Sequence, residues 1–320
     1  MDPLRFLTQA DGFFTRQEAE EAGYDDRAVA AMVRARVWTR FRRGYYAFTD
    51  EWTALDDVGR HLVRCRAVLR SLGPAVALSH VSAVVAHGID VWGVPLDRVH
   101  VTRLDGGAGR DESGVVHHEG VCLDDEVTIV GGLQVTNAVR AVVETGSRCS
   151  REAALCLFDS GLFKKKFDLD DLHRTHQRMG DWPGTQRLHI PTRMATAKSQ
   201  SIGETRGRWL FRCHHLPAPT PQFEVHDDAG CLLGICDWGW PELGLLGEFD
   251  GRIKYGRLLK PGQEPGDVVF AEKLREDDLR AATGYSMVRL TWADLDRPHR
   301  TVARIERLMQ RGGLSRRFTM

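Results

Sequence analysis

The sequence is short of the features that would place it at once. It contains no run of 18 apolar residues, so no segment reads as a transmembrane helix. No apolar stretch follows Asp2 and Arg5 that would act as a secretion signal. It carries no net charge, because 44 Lys and Arg balance 44 Asp and Glu. A protein that merely coats nucleic acid is clearly basic, so any DNA contact must come from local patches. A disulfide framework is lacking too. The seven cysteines (Cys65, Cys122, Cys149, Cys156, Cys213, Cys231, Cys236) are odd in number and irregularly spaced, as in a reduced, cytosolic chain. There is no internal repeat. These absences lead us to expect a soluble cytoplasmic protein without membrane association.

What is present is ordinary globular composition, 42% hydrophobic and 28% charged, over 320 residues. That length can bury two or three cores. The first fifty residues read as three helices and a hairpin. Thr15-Arg16-Gln17-Glu18 matches a capping box, Gly23 ends the second helix, and a third, capped by Asp25 or Asp26, runs to about Arg36. Trp38 to Phe48 reads as two short strands around a basic turn. Between about Thr53 and Lys198 two helices, two strands and two further helices are expected in that order, and the polar stretch Thr192 to Gln200 is the best linker. After it the order is helix, three strands, helix, strand, a mixed α/β core.

Within that last region Asp237 and Glu248 have numbers that sum like Glu242 and Leu243. A hairpin turning at Pro241 to Gly244 therefore sets the two acids opposite one another, with Cβ atoms about 4.5–5.5 Å apart. Asp250, two residues on, shares the Glu248 face. Like charges so placed repel and raise each other's pKa. A hard divalent ion, Mg²⁺ or Mn²⁺, would relieve this and polarise a phosphate. A solvated strand end with Arg252, Lys254 or Arg275 as counter-ions would relieve it equally.

Ser-Ile-Gly-Glu-Thr-Arg (201–206), Cys-Asp-Trp-Gly-Trp-Pro-Glu (236–242), Gly-Glu-Phe-Asp-Gly-Arg-Ile-Lys-Tyr (247–255), Glu-Lys-Leu-Arg-Glu-Asp (272–277) and Val-Arg-Leu-Thr-Trp (288–292) come in a set order. Together they resemble a group related to very-short-patch-repair endonucleases, within the PD-(D/E)xK superfamily. The resemblance implies a restriction-endonuclease-like fold. Asp237 and Glu248 would be the metal-binding acids and Glu204 the outer acid on the preceding helix. Asp250 stands where the superfamily usually has lysine, so Lys254, or Lys273 from the next helix, would have to supply that charge. Glu204 has a second reading as the partner of Ser201 in another capping box.

At the other end, Gly12-Phe13-Phe14-Thr15, Gly23-Tyr24 and Arg40-Phe41-Arg42-Arg43-Gly44-Tyr45-Tyr46 resemble the winged helix-turn-helix of AbiEi-type antitoxins. The likeness extends through Ala77 to Gly88 and Trp92-Gly93-Val94-Pro95. It implies double-stranded DNA as partner. The third helix would enter the major groove with Tyr24 and Arg27 leading, and Arg40, Arg42 and Arg43 would meet phosphates, with Arg34 and Arg36 beside them. A cognate toxin or another defence protein would be a further partner. A homodimer would be needed to cut both strands.

Other candidate ligands read as structural. Cys231 and Cys236 are five apart on one strand and point to opposite faces, which argues against zinc shared with Cys213, His214, His215 or His226. His80 and His87, seven apart on one helix, read as core or surface histidines, and His117 and His118 as strand neighbours facing apart. The chain is thus expected to be multidomain α+β and α/β. It would comprise a winged helix (1–52), an AbiEi-like α+β middle domain (53–198) and an αβββαβ nuclease core (199–320). Two functions follow: a DNA-targeted Mg²⁺-dependent endonuclease, or a non-catalytic DNA-binding regulator or antitoxin with a degenerate nuclease fold.

Overall fold

Capping residues and glycine stops divide the first fifty residues as their chemistry requires. In the computed structural model, which describes residues 3–120, 122–227, 229–251 and 278–317, α1 (Pro3–Asp11) leads into β1 (Phe14–Thr15) and α2 (Arg16–Glu21). The Thr15 hydroxyl accepts the Glu18 amide while the Glu18 carboxylate takes the Thr15 N–H at 2.7 Å, completing a capping box. Burial opposes ionisation of Glu18, but the bonds from Thr15 and the Arg70 guanidinium hold its carboxyl below the usual range. Asp25, not Asp26, caps α3 (Asp26–Arg34), accepting the Ala28 amide at 2.8 Å. Strands β2 (Trp38–Arg42) and β3 (Tyr45–Phe48) form a hairpin, and β1 joins β3 to give the sheet order β1-β3-β2. Phe14, Trp38, Tyr46 and Phe48 pack with Leu4 and Val29 as the core beneath these helices.

The chain continues through α4 (Thr49–Ala54), α5 (Asp57–Leu72), β4 (Val76–Leu78), α6 (His80–Ala86), β5 (Val99–Arg103), β6 (Arg110–Glu112) and β7 (Val115–His118). Then come β8 (Val127–Val130), β9 (Leu133–Thr136), α7 (Ala138–Gly146), α8 (Arg151–Phe163), α9 (Leu169–Arg178) and α10 (His189–Met194). Six short strands make one mixed sheet in the order β6-β7-β5-β4-β9-β8. β4 pairs antiparallel with β5 and parallel with β9, and β5 pairs parallel with β7. Helix α6 is almost wholly buried, from His80 to Val85.

The described chain divides into two compact units, residues 1–161 with 165–193, and residues 162–164 with 194–320. In the second, α11 (Ile202–Cys213) precedes β10 (Thr220–His226), β11 (Leu232–Trp240) and β12 (Leu245–Asp250). Residues 278–283 are helical and lead to β13 (Ser286–Thr291), α12 (Trp292–Leu295) and α13 (Pro298–Arg317). The sheet order is β10-β11-β12-β13, antiparallel except that β13 runs parallel to β12. Trp238 and Trp240 pack with Phe211, Phe249 and Ile305 in the main core of this unit. Helix α11 approaches the sheet closely because it presents Gly203 and Gly207. A Cβ at Gly203 would fall 1.9 Å from the Phe249 ring, and one at Gly207 would fall 2.4 Å from Trp238. Leu232, Leu233 and Ile235, apolar in sequence, are exposed at the start of β11. Among the described residues no helix is long and apolar enough to cross a membrane.

Candidate functional site

Two places carry the chemistry expected from the sequence. The first is the face formed by α3 and the β2–β3 hairpin. Arg40 pairs with Tyr46 and Arg42 with Tyr45 across the hairpin, with a register shift between the two arginines, and Gly44 takes the left-handed φ of +78° that the tight turn requires. Arg27, Arg34, Arg36, Arg40 and Arg43 are exposed and Arg42 half-buried. Among the described residues none of these six side chains has an ion pair or hydrogen bond. Arg5 and Arg16 of the same module, and Arg70 of α5 against it, are neutralised. Arg5 binds Asp50 and Glu51, Arg16 binds Glu20 and Asp26, and Arg70 binds Glu18. The module thus segregates balanced charge from bare positive charge. Tyr24, expected to lead into a groove, instead packs edge-on against Trp38, with ring centroids 4.8 Å apart.

The second place is the β11–β12–β13 edge. The ladder pairs Trp240 with Leu245, Gly239 with Leu246 and Trp238 with Gly247. That is the register the sequence arithmetic requires, and Asp237 and Glu248 are the next residues outward. A 3-10 turn over Pro241–Leu243 and a left-handed Gly244 close the hairpin. Glu248 is buried, and its Oε2 accepts a bond from Arg289 Nη2 at 3.2 Å; the two residues are in register on β12 and β13. Asp237 is half-buried, and its Oδ2 accepts the Phe249 amide N–H at 2.7 Å. Asp250 pairs with Thr291.

Asp237, Glu248 and Asp250 therefore do not gather into a group of three ligand atoms close enough to share an ion. Among the described residues the one such group lies elsewhere, at His80, His100 and His118. The like-charge problem is met here by a guanidinium and a backbone amide. Hard carboxylate donors suit Mg²⁺, and an ion there would share the Glu248 carboxylate with Arg289.

Glu204 takes the capping role. Its backbone N–H is accepted by Ser201 Oγ, and its carboxylate accepts the Gln200 amide at 2.9 Å, the Ser201 hydroxyl at 2.8 Å and Gln222 Nε2 at 3.1 Å. It departs from a standard capping box in drawing on the amide of Gln200 rather than that of Ser201. Lys254 and Lys273, the two candidates for the missing lysine, lie outside the described residues, as do Arg252 and Arg275. Arg289, which sequence reasoning passed over, sits in the quoted Val-Arg-Leu-Thr-Trp stretch. Its signal was a cation centred in an otherwise apolar strand.

Residues 2–49, which span the helices and the hairpin just described, match the family described as a transcriptional regulator, AbiEi antitoxin. Two uncharacterized proteins of Mycobacterium tuberculosis, from strains CDC 1551 / Oshkosh and ATCC 25618 / H37Rv, are each 24% identical to this chain over 265 residues, which is 82% of this chain and 87% of each relative. Their similarity reaches well beyond the N-terminal family match and takes in most of the chain.

Proposed function

We propose that the protein is a DNA-binding regulator of the AbiEi antitoxin kind, docking on double-stranded DNA through an N-terminal winged helix. The observation that carries this is the set of six arginines without acidic partners on α3 and the β2–β3 hairpin, in a chain of zero net charge. Helix α3 is short and offers Arg27 and alanines to a groove, which provides little base-reading chemistry. Phosphate contact from Arg40, Arg42 and Arg43 on the wing supplies most of the affinity. A cognate toxin or a second copy is the partner such a regulator would take.

The experiment is salt-dependent binding of a labelled duplex. Replacing Arg40, Arg42 and Arg43 with alanine together should weaken binding across all sequences. It should also flatten the slope of log K against log salt by about one for each arginine that meets a phosphate. An unchanged slope would remove the wing from the interface.

A second reading, favoured by one observation, is a metal-dependent endonuclease in the C-terminal unit. The helix, three antiparallel strands and parallel fourth strand are consistent with a restriction-endonuclease-like core, with Asp237 and Glu248 at adjoining positions on its central strands. In that reading these two acids would hold Mg²⁺ or Mn²⁺, Lys254 would add the positive charge, and the ion would supply Lewis-acid activation of a phosphodiester. Metal-dependent nicking that disappears in Asp237→Ala supports it; DNA binding without nicking leaves the regulator.

A further inference from the structure

Three histidines from three separate elements of the first unit meet at one point. His80 opens α6, His100 lies in β5 and His118 ends β7. The strand register sets His100 beside Val116 and Thr102 beside His118. His100 and His118 thus stand on the same face of the sheet, one step apart along parallel strands. His80 stacks on His118 with ring centroids 3.6 Å apart, and His100 Nδ1 is 2.9 Å from His118 Nε2. One ring nitrogen of each lies within 4.8 Å of the other two.

Two other buried histidines of this unit are satisfied one by one, while His117 keeps a buried Nδ1 without a hydrogen-bond partner among the described residues. His61 donates from Nδ1 to the Leu96 carbonyl and accepts the Ser82 hydroxyl at Nε2, and His87 donates to the Thr136 carbonyl. The three clustered rings instead face mostly one another. His80 holds its place with a φ of +50°, a left-handed conformation that is strained for a non-glycine residue. Strain of this kind persists where the surroundings impose it, and here it sets an imidazole over two others.

We propose that His80, His100 and His118 form a three-imidazole site for a divalent transition metal of the zinc class. Imidazole nitrogens favour zinc, copper, nickel and iron over magnesium or calcium. A tetrahedral zinc with bonds of about 2.0–2.1 Å needs its ligand nitrogens about 3.3 Å apart. The His100–His118 pair is already near that spacing, and rotation of the His80 ring brings in the third. The Glu144 carboxylate lies 3.5 Å from His80 Nδ1, accepts the His80 amide at 3.1 Å and is itself held by Arg140 at 2.8 Å. His80 Nδ1 itself hydrogen-bonds the Ser79 hydroxyl oxygen at 3.1 Å, a bond that leaves Nε2 for the metal.

A cavity of about 390 Å³ opens beside the cluster, lined by His80, His100, Asp97, Arg98 and Arg148 among others. Two of the three ligands, His80 and His100, line this cavity, and a three-ligand site open toward it keeps a fourth position for a ligand to bind or be activated. Arg98 and Arg148 suit that position to water or a small anion, and their charge opposes that of Asp97 and Glu144 around the metal.

The test uses the full chain, stripped with chelator and titrated with Zn²⁺ and, as a spectroscopic probe, Co²⁺. One equivalent of Zn²⁺ by calorimetry and a visible Co²⁺ band of tetrahedral intensity are expected. Both should be lost in His100→Gln/His118→Gln and kept in His87→Gln. Because the double variant can fail to fold, long-range proton–nitrogen spectra of the unaltered protein give a second measurement, in which Zn²⁺ should move the ring nitrogens of three histidines together. Absence of a tetrahedral band in the unaltered chain, a band that survives in the folded double variant, or no imidazole moving with Zn²⁺ would each overturn the proposal.

Discussion

Arg289 and Glu248 stand in register on parallel strands β13 and β12, with Arg289 Nη2 3.2 Å from Glu248 Oε2. The carboxylate is buried and the guanidinium is about one-third exposed, with 31% of its side-chain surface accessible. Breaking a fully buried pair costs about 3–5 kcal/mol, so with this exposure Arg289→Met should cost about 1–3 kcal/mol. Urea unfolding measures it. The variant also separates the two functional readings. If Asp237 and Glu248 serve a divalent ion, Mn²⁺ should raise the unfolding midpoint of Arg289→Met more than that of the unaltered chain. A midpoint that Mn²⁺ moves in neither protein would exclude an ion at these acids.

Gly207 is where α11 comes closest to Trp238, with 2.4 Å to the ring from an added Cβ. Alanine at an exposed helical site would gain about 1 kcal/mol in propensity. Here the added methyl meets a wholly buried indole, which cannot withdraw without disturbing Phe211 and Trp240. Overpacking of this kind costs about 1–3 kcal/mol. Gly207→Ala should therefore lower thermal stability despite its better helix propensity. A stabilised variant would mean that the close approach is not required.

Arg140 is a fully buried cation, 2% exposed, between Glu126 and Glu144, with Arg178 reaching Glu126 from α9 at 2.6 Å. Burial works against both charges, but the acids outweigh it at Arg140, whose guanidinium is held above its ordinary value, whereas at Glu144 burial prevails over Arg140 and the carboxyl is raised. Removing the cation leaves two acids in the interior, and Arg178 compensates only at Glu126. Arg140→Met is expected to cost about 3–5 kcal/mol by urea unfolding at neutral pH. Glu144→Gln, which keeps hydrogen-bonding capacity beside Arg140, should cost less. The reverse order would show that the charge on Glu144, not that on Arg140, organises the network.

How far such features can be read from sequence depends on how local their causes are. The Thr15–Glu18 box, the Asp25 cap and the Gly244 turn act over four residues, and each is visible as a pattern. The β11–β12 register follows from one turn and two numbers. The six-stranded sheet was legible only in pieces. Its strands are three to five residues long, and β4 reaches its parallel partner β9 across α6 and four intervening strands. No periodicity carries that information. For the same reason the spacing of seven between His80 and His87 carried no sign of their partners: His87 turns to Thr136, and His80 meets His100 and His118 across the sheet. Capping chemistry also accounts for Glu204, whose two readings the spacing alone left equal. Helix α13 places Val302, Ile305 and Met309 in the core at helical spacing, a signal present in the sequence and passed over.

His61 and His87 contribute to an acid limit on the first unit. Burial is the main cause that pushes both imidazoles below the ordinary 6.5, against opposing bonds to the Leu96 and Thr136 carbonyls. Above pH 6.5 each is neutral whether folded or unfolded, and stability is independent of pH on their account. Below 6.5 the unfolded chain takes up protons that the folded chain refuses, so stability falls as pH falls. The fall continues until the folded-state values are passed, with a slope of up to about 1.4 kcal/mol per pH unit for each histidine. For His61 the proton would enter at Nε2, the atom that accepts from Ser82, so the Ser82 hydroxyl would lose its acceptor. Urea midpoints measured from pH 8 downward should be flat to about 6.5 and then decline. His87→Gln, which keeps a donor for Thr136 and cannot titrate, should have a shallower decline than the unaltered chain. An identical slope would mean that His87 takes no part in the acid limit.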